Sequence, residues 1–225
     1  LRPPLTVVAG YLETLLDEAA DDPAARHWRR TLTSMHEQSR RMQGIVEDLL
    51  MLSRLESQPQ SDQPVAVAVP GLLAQVREDA QRLSGEQAHH ITLDADPALW
   101  LSGSEGELRS LFSNLAFNAV RYTPAGGRIT LRWYGDAEGA HFVVRDTGIG
   151  ISAHHIPRLT ERFYRVDVGR SRGSGGTGLG LAIVKHVLLR HDGRLEIDSE
   201  PGKGSTFTCT FAPVRIVRQS RPAVG

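Results

Sequence analysis

Two asparagines four residues apart, Asn114 and Asn118, stand in Ser-Asn-Leu-Ala-Phe-Asn-Ala-Val-Arg-Tyr (113–122). On a helix that spacing puts both amides on one face. Amides are mildly unfavourable inside helices, so two on one face ask for a reason. One reason is a neutral oxygen ligand for a hydrated Mg2+ beside phosphates, because that ion takes few protein ligands. The bland alternative is a solvated polar face, or an amide that satisfies a backbone group. Just beyond, Arg121 adds a cation for phosphate and Tyr122 an aromatic face for a base. A second patch, Asp-Thr-Gly-Ile-Gly (146–150), puts Asp146 at the end of a strand-like run. Its carboxylate can accept the exocyclic amine of adenine, while Gly148 and Gly150 let backbone approach a ring without a Cβ in the way. Guanine has no donor amine at that position, so the pattern favours ATP over GTP. Standing alone, the same residues read equally well as a turn closed by its own side chain.

The third patch is Glu-Arg-Phe-Tyr-Arg (161–165) and the fourth Gly-Gly-Thr-Gly-Leu-Gly-Leu-Ala-Ile-Val-Lys (175–185). The fourth leads straight into an apolar helical pattern. Backbone N–H groups around Gly176, Gly178, Leu179 and Gly180 would face an anion there, helped by the helix dipole. No Gly-Lys-Ser/Thr closes it and no strand leads into it, which excludes a Walker loop and a dinucleotide fingerprint. A flexible linker is the alternative, but a linker would not feed so cleanly into a helix. Phe163 lies where a lid over a nucleotide can anchor, and Arg165 is the first choice among Arg162, Arg165, Arg170 and Arg172 to reach phosphate. One glycine patch is weak evidence; four patches in this order describe a site for ATP and Mg2+.

The elements that must hold these patches fall into two blocks. Before Pro59, Leu5, Val8, Leu12, Leu15 and Leu16 recur at helical spacing, and after Asp21-Asp22-Pro23 so do Trp28, Leu32, Met35, Met42, Ile45, Val46, Leu49, Leu52 and Leu55. These read as a helical hairpin over 1–57. Two helices cannot bury a broad apolar face alone, so a homodimeric four-helix bundle is expected, with packing on the second domain as the alternative. Residues 58–64 read as a linker. Over 65–213 the pattern gives strands near 65–69, 89–95, 99–101, 128–134, 140–146, 194–198 and 205–211, with helices near 71–84, 105–121 and 178–191. That is an α/β sandwich with a mixed sheet, so the fold class overall is α+β. Residues 214–225 carry little core signal and read as a frayed tail.

Composition narrows the classes further. The 225 residues are 40% hydrophobic and 23% charged, with 26 basic and 26 acidic side chains balancing to zero. That is ordinary for a globular chain, and without a basic run no nucleic-acid partner is expected. The single cysteine, Cys209, excludes an intrachain disulfide and reads as a small core residue of a strand. No stretch is long and apolar enough for a membrane span.

Together these motifs resemble the kinase core of bacterial two-component sensor histidine kinases, from Leu1 to about Pro213. Asn114-to-Tyr122 looks like the family's asparagine box, Asp146-to-Gly150 like its first glycine box, Glu161-to-Arg165 like its phenylalanine box and Gly176-to-Gly180 like its second glycine box. Gly202-Lys203-Gly204-Ser205-Thr206-Phe207 looks like its closing glycine-threonine strand, which would put Thr206 near adenine. Within the family, Leu5-to-Glu13 and Leu159-to-Asp167 look most like the phosphate-regulon branch. The resemblance implies phosphoryl transfer from ATP to a histidine and then to an aspartate of a response-regulator receiver domain. It makes Asn118 the Mg2+ ligand with Asn114 in support, gives Arg121 and the glycines to phosphate, and gives Asp146 and Tyr122 to adenine. It further implies the cytoplasmic portion of an inner-membrane sensor, anchored only through upstream segments. The family's acceptor histidine precedes the stretch matched by Leu1-to-Leu5, so autophosphorylation is not expected of this fragment, and Pro3 stands where the family usually has threonine. The rivals are an ATPase of the gyrase, Hsp90 and mismatch-repair type, whose water-activating glutamate would fall where Asn114 stands, and a non-catalytic nucleotide-binding module.

Overall fold

The computed structural model describes residues 2–18, 26–57, 65–166 and 176–218. The turn at Asp21-Asp22-Pro23 and the linker at 58–64 lie outside them. The two periodic runs form helices α1 (Arg2–Glu18), with Pro3 and Pro4 in its first turn where proline is tolerated, and α2 (Arg26–Ser57). They pair with each other, and Glu13 of α1 meets His36 at 3.0 Å and Arg40 at 3.4 Å on α2. Ala9 and Leu12 are buried between them, whereas Val7, Val8, Tyr11 and Leu15 of α1 and Trp28, Met35, Met42 and Leu49 of α2 are exposed. The last turns of α2 behave differently: Leu52 and Leu55 are buried in the core of the second domain. The expected packing on the second domain is thus met at the C-terminal end of the hairpin, and its other described residues leave an exposed apolar stripe.

The second domain runs β1 (Val65–Val67), α3 (Val69–Ser84), β2 (His90–Ala95), β3 (Leu99–Gly103), α4 (Glu105–Tyr122), β4 (Arg128–Gly135), β5 (Ala140–Asp146), α5 (Gly180–Arg190), β6 (Gly193–Glu200), β7 (Gly204–Phe211) and β8 (Ile216–Arg218). The main sheet has order β2-β4-β5-β7-β6, parallel only between β2 and β4. Alternation decides which side chains face the helices. Ala140, Phe142 and Val144 of β5 are buried opposite Phe211, Cys209 and Phe207 of β7. Phe112 of α4 sits over them, edge-on to Phe142 at 4.7 Å and to Trp133 at 6.3 Å. Cys209 is fully buried, and burial pushes its thiol well above the ordinary range, so it is the core residue expected.

One expectation fails here. The stretch after Pro213 does not fray through Arg218. It makes a 3-10 turn at Pro213–Arg215 and then β8, which pairs antiparallel with Leu99–Leu101 of β3 in a three-stranded sheet of order β1-β3-β8. Arg215 fastens the turn through Asp192 at 2.8 Å. Residues 219–225 lie outside the described residues.

Candidate nucleotide site

Asp146 closes β5 on the helix-facing side of the sheet, so the alternation that fills the core also carries this carboxylate inward. It is buried, and its Oδ1 accepts two backbone N–H groups, from Gly148 at 2.8 Å and Ser205 at 3.2 Å. Among the described residues nothing donates to Oδ2. Burial pushes the carboxyl above the usual carboxylate range, and the two N–H groups pull it back only in part. The result is a fixed, desolvated acceptor with one lone-pair edge to offer. Gly148 is required by its neighbours: a Cβ there would collide with the carbonyl oxygen of Tyr122. Ile149 N–H donates to that same oxygen at 3.1 Å, strapping the loop to the end of α4.

The asparagines behave unequally. Asn114 turns its Nδ2 back to Ser110 O at 2.9 Å, the local backbone bond that was the bland alternative, and its Oδ1 lies against Gly180, where a Cβ would strike it. Asn114 thus seats the start of α5 on α4. Asn118, one turn on, is half-buried, and among the described residues its amide has no hydrogen-bond partner. Among those residues no cluster of three His, Cys, Asp or Glu could hold a metal. Asn118 offers a neutral amide oxygen of the kind a hydrated Mg2+ accepts beside phosphates. Arg121 and Tyr122 are exposed on the last turn of α4, which puts a cation and an aromatic face at the same end.

The loop between β5 and α5 brings the remaining residues together. Phe163 has φ 61° and donates its N–H to Gly178 O at 2.9 Å, leaving its ring 58% exposed. Arg165 donates to Gly176 O at 2.9 Å, so its guanidinium holds the loop. The Tyr122 hydroxyl comes within 3.9 Å of where a Gly176 Cβ would be. Leu179 is fully buried and supplies only its backbone, donating to Thr177 Oγ1 at 3.2 Å. Gly150 lies beside the β6–β7 turn, where a Cβ would meet the Glu200 carbonyl. Of the other arginines, Arg162 pairs with Glu56, and Arg170 and Arg172 lie outside the described residues.

Thr206 needs correction. It pairs with Arg145, on the face of the sheet opposite Asp146, while Ser205 pairs with Asp146 itself. Strand alternation makes Ser205 the neighbour of the carboxylate and removes Thr206 from the site. Reading the sequence also passed over Thr177 and Asp48, which bond each other at 2.8 Å across the domains. The polar residue after Gly204 marks Ser205, but nothing in the local pattern links 48 to 177.

Comparison with known proteins gives the family. Residues 103–215 match the family described as Histidine kinase-, DNA gyrase B-, and HSP90-like ATPase, and residues 1–58 match the His Kinase A (phospho-acceptor) domain. The chain is 58% identical to the phosphate regulon sensor protein PhoR of Pseudomonas aeruginosa over 99% of its length, and 40% identical to that of Haemophilus influenzae over 96%. It spans 50% of each of those relatives. Among solved structures it resembles full-length ShkA in complex with AMPPNP, with TM-score 0.76 and 29% identity over 98% of this chain and 45% of that one. With its hairpin matched by one family and its α/β domain by the other, the chain belongs to the sensor histidine kinases.

Proposed function

We propose that this chain is the nucleotide-binding and dimerisation core of a histidine kinase that passes the ATP γ-phosphoryl to a histidine and then to a response-regulator aspartate. The observation that carries the reading is the buried Asp146 carboxylate, held by two N–H groups on one oxygen and open on the other. A buried carboxylate with an unfilled edge is costly unless a donor fills it, and the adenine amine is such a donor. ATP with Mg2+ supplies the transferable phosphoryl group; the protein's part is positioning and charge neutralisation. Asn118 offers its amide oxygen to the metal, Asn114 keeps α5 seated on α4, and Arg121 lends a positive charge. Tyr122 covers the base, and Phe163 and Arg165 hold the glycine loop at Gly178 and Gly176. Asn114 stands where a gyrase-type ATPase would carry its water-activating glutamate, and its amide supports the kinase reading over that rival.

The exposed stripe of Val8, Tyr11, Leu15, Met35, Met42 and Leu49 supports dimerisation through the hairpin. The likeness to the PhoR proteins supports a place in the response to phosphate supply and a location on the cytoplasmic side of a membrane. No helix among the described residues is long and apolar enough to cross one. Titration with a fluorescent ATP analogue tests the site. Binding should depend on Mg2+, and Asn118→Ala should abolish the metal dependence while leaving weak metal-free binding intact. Metal-dependent binding unchanged by Asn118→Ala would remove that residue from the site.

A further inference from the structure

One face of α2 meets the α/β domain through residues 48, 52, 55 and 56, the spacing of a single helical stripe. Leu52 and Leu55 are buried in the domain core. Glu56 pairs with Arg162 and, at 3.2 Å, with His186 of α5. Two turns back, Asp48 accepts a hydrogen bond from Thr177 Oγ1 at 2.8 Å. Thr177 belongs to the glycine loop itself, and its hydroxyl also receives the N–H of Leu179 at the mouth of α5. Asp48 is half-buried, and its carboxyl is pushed up by burial, with the Thr177 bond and the positive charge of Arg121 pulling it down. Thus a carboxylate from the hairpin is held on the loop that would receive phosphate and within the field of the arginine that would neutralise it.

We infer that Asp48 is a built-in competitor of the nucleotide's phosphates, so that docking of α2 and binding of ATP oppose each other. A carboxylate partly withdrawn from water repels a second anion more strongly than an exposed one does. Coupling of this kind is reciprocal: ATP loosens the hairpin as much as the docked hairpin weakens ATP. The stripe that docks α2 on the domain is then the element that seated phosphates would loosen. The inference rests on the ATP reading above and adds a regulatory contact to it.

The test is calorimetric titration of the full chain and its Asp48→Asn variant with Mg2+-ATP and with adenosine. Asparagine keeps an acceptor for Thr177 and removes the charge. The variant should bind Mg2+-ATP about tenfold tighter at low salt, with the gain shrinking as ionic strength rises, and adenosine within about twofold of the parent. Nitroxide labels on cysteines at exposed Arg54 and Leu189 report docking, since buried Cys209 will not compete for label. ATP should broaden that distance in the parent and broaden it less in Asp48→Asn. Equal ATP affinities in the two proteins overturn the inference while leaving the nucleotide site standing. An equal gain for adenosine also overturns it, because the effect would then come from docking and not from charge. If neither protein binds ATP, the site reading falls and this inference with it.

Discussion

Replacing Asp146 by asparagine separates a residue kept for ligand from one kept for fold. The substitution preserves shape. The two N–H groups of Gly148 and Ser205 converge on Oδ1, so the amide will turn its oxygen to them and its NH2 toward the open edge. An amine from adenine would then meet a donor in place of an acceptor. Losing a hydrogen bond to a charged acceptor costs about 1.5–3 kcal/mol, or roughly 10- to 150-fold in ATP affinity. A purine with a carbonyl at that position should be spared: affinity for inosine triphosphate should fall less than affinity for ATP. The assay is competition of each nucleotide against a fluorescent analogue at fixed Mg2+. Equal losses for both nucleotides, or no loss for ATP, would refute the assignment of adenine to Asp146.

Stability should move the other way. Burial raises the folded-state pKa of Asp146, so the neutral form is the better one for the folded chain. Whatever Asp146 contributes is fully present below the ordinary carboxylate pKa and is lost as pH rises through its raised folded value. Without nucleotide, Asp146→Asn should therefore melt at or above the parent temperature near pH 7. The gap should shrink as pH falls below that raised pKa and close below the ordinary carboxylate value. A variant that is markedly less stable at neutral pH would make the carboxylate a structural group.

Two further outcomes follow from the same geometry. Gly178 has φ 74° and would place a Cβ 2.9 Å from the Phe163 backbone. Gly178→Ala should cost about 1–2 kcal/mol by urea unfolding and weaken ATP binding as Phe163 is displaced from the glycine loop; an unchanged midpoint and affinity would show that the loop relaxes freely. Leu49→Glu, on the exposed stripe of α2, should convert the chain from dimer to monomer by sedimentation without shifting ATP affinity more than about twofold. A parent chain that is monomeric at high concentration would refute the bundle.

How much of this was legible follows from where each signal lives. Periodicity is local, so both helices of the hairpin and the alternation of β5 and β7 could be read directly from the chain. The strand ends shifted only slightly. The mixed sheet and its closing hairpin were legible too; what failed were details of register and of which edge receives which strand. The Ser205 and Thr206 positions differ only in which face of β7 they occupy, and that is fixed by the register of Ser205 against Asp146. Val-Arg-Ile-Val-Arg has no turn residues to mark a strand; its last three residues become one because the edge of β3 at Leu99–Leu101 is open to receive them. The division of α2 between a free stripe and a buried end is likewise invisible in a heptad-like pattern, since Leu49 and Leu52 read alike.

The glycine boxes show why a site can be easier to find than to assign. Their spacing was read as room for a nucleotide, yet the atoms that forbid a side chain at Gly148 and Gly180 belong to the protein: the Tyr122 carbonyl and the Asn114 amide. These glycines let the end of α4, the loop after β5 and the start of α5 touch at the backbone. With those segments in contact, Asp146 at the end of β5 is held beside the last turns of α4, which carry Asn118 and Arg121. The recognition chemistry then falls to a few side chains on rigid elements, and the glycines act on the ligand through the scaffold they close. A bulky residue at either position should therefore cost stability and ATP affinity together, whereas Asp146→Asn should uncouple them. That difference in coupling, measured on one set of variants, is what distinguishes the residues that build the site from the one that reads the base.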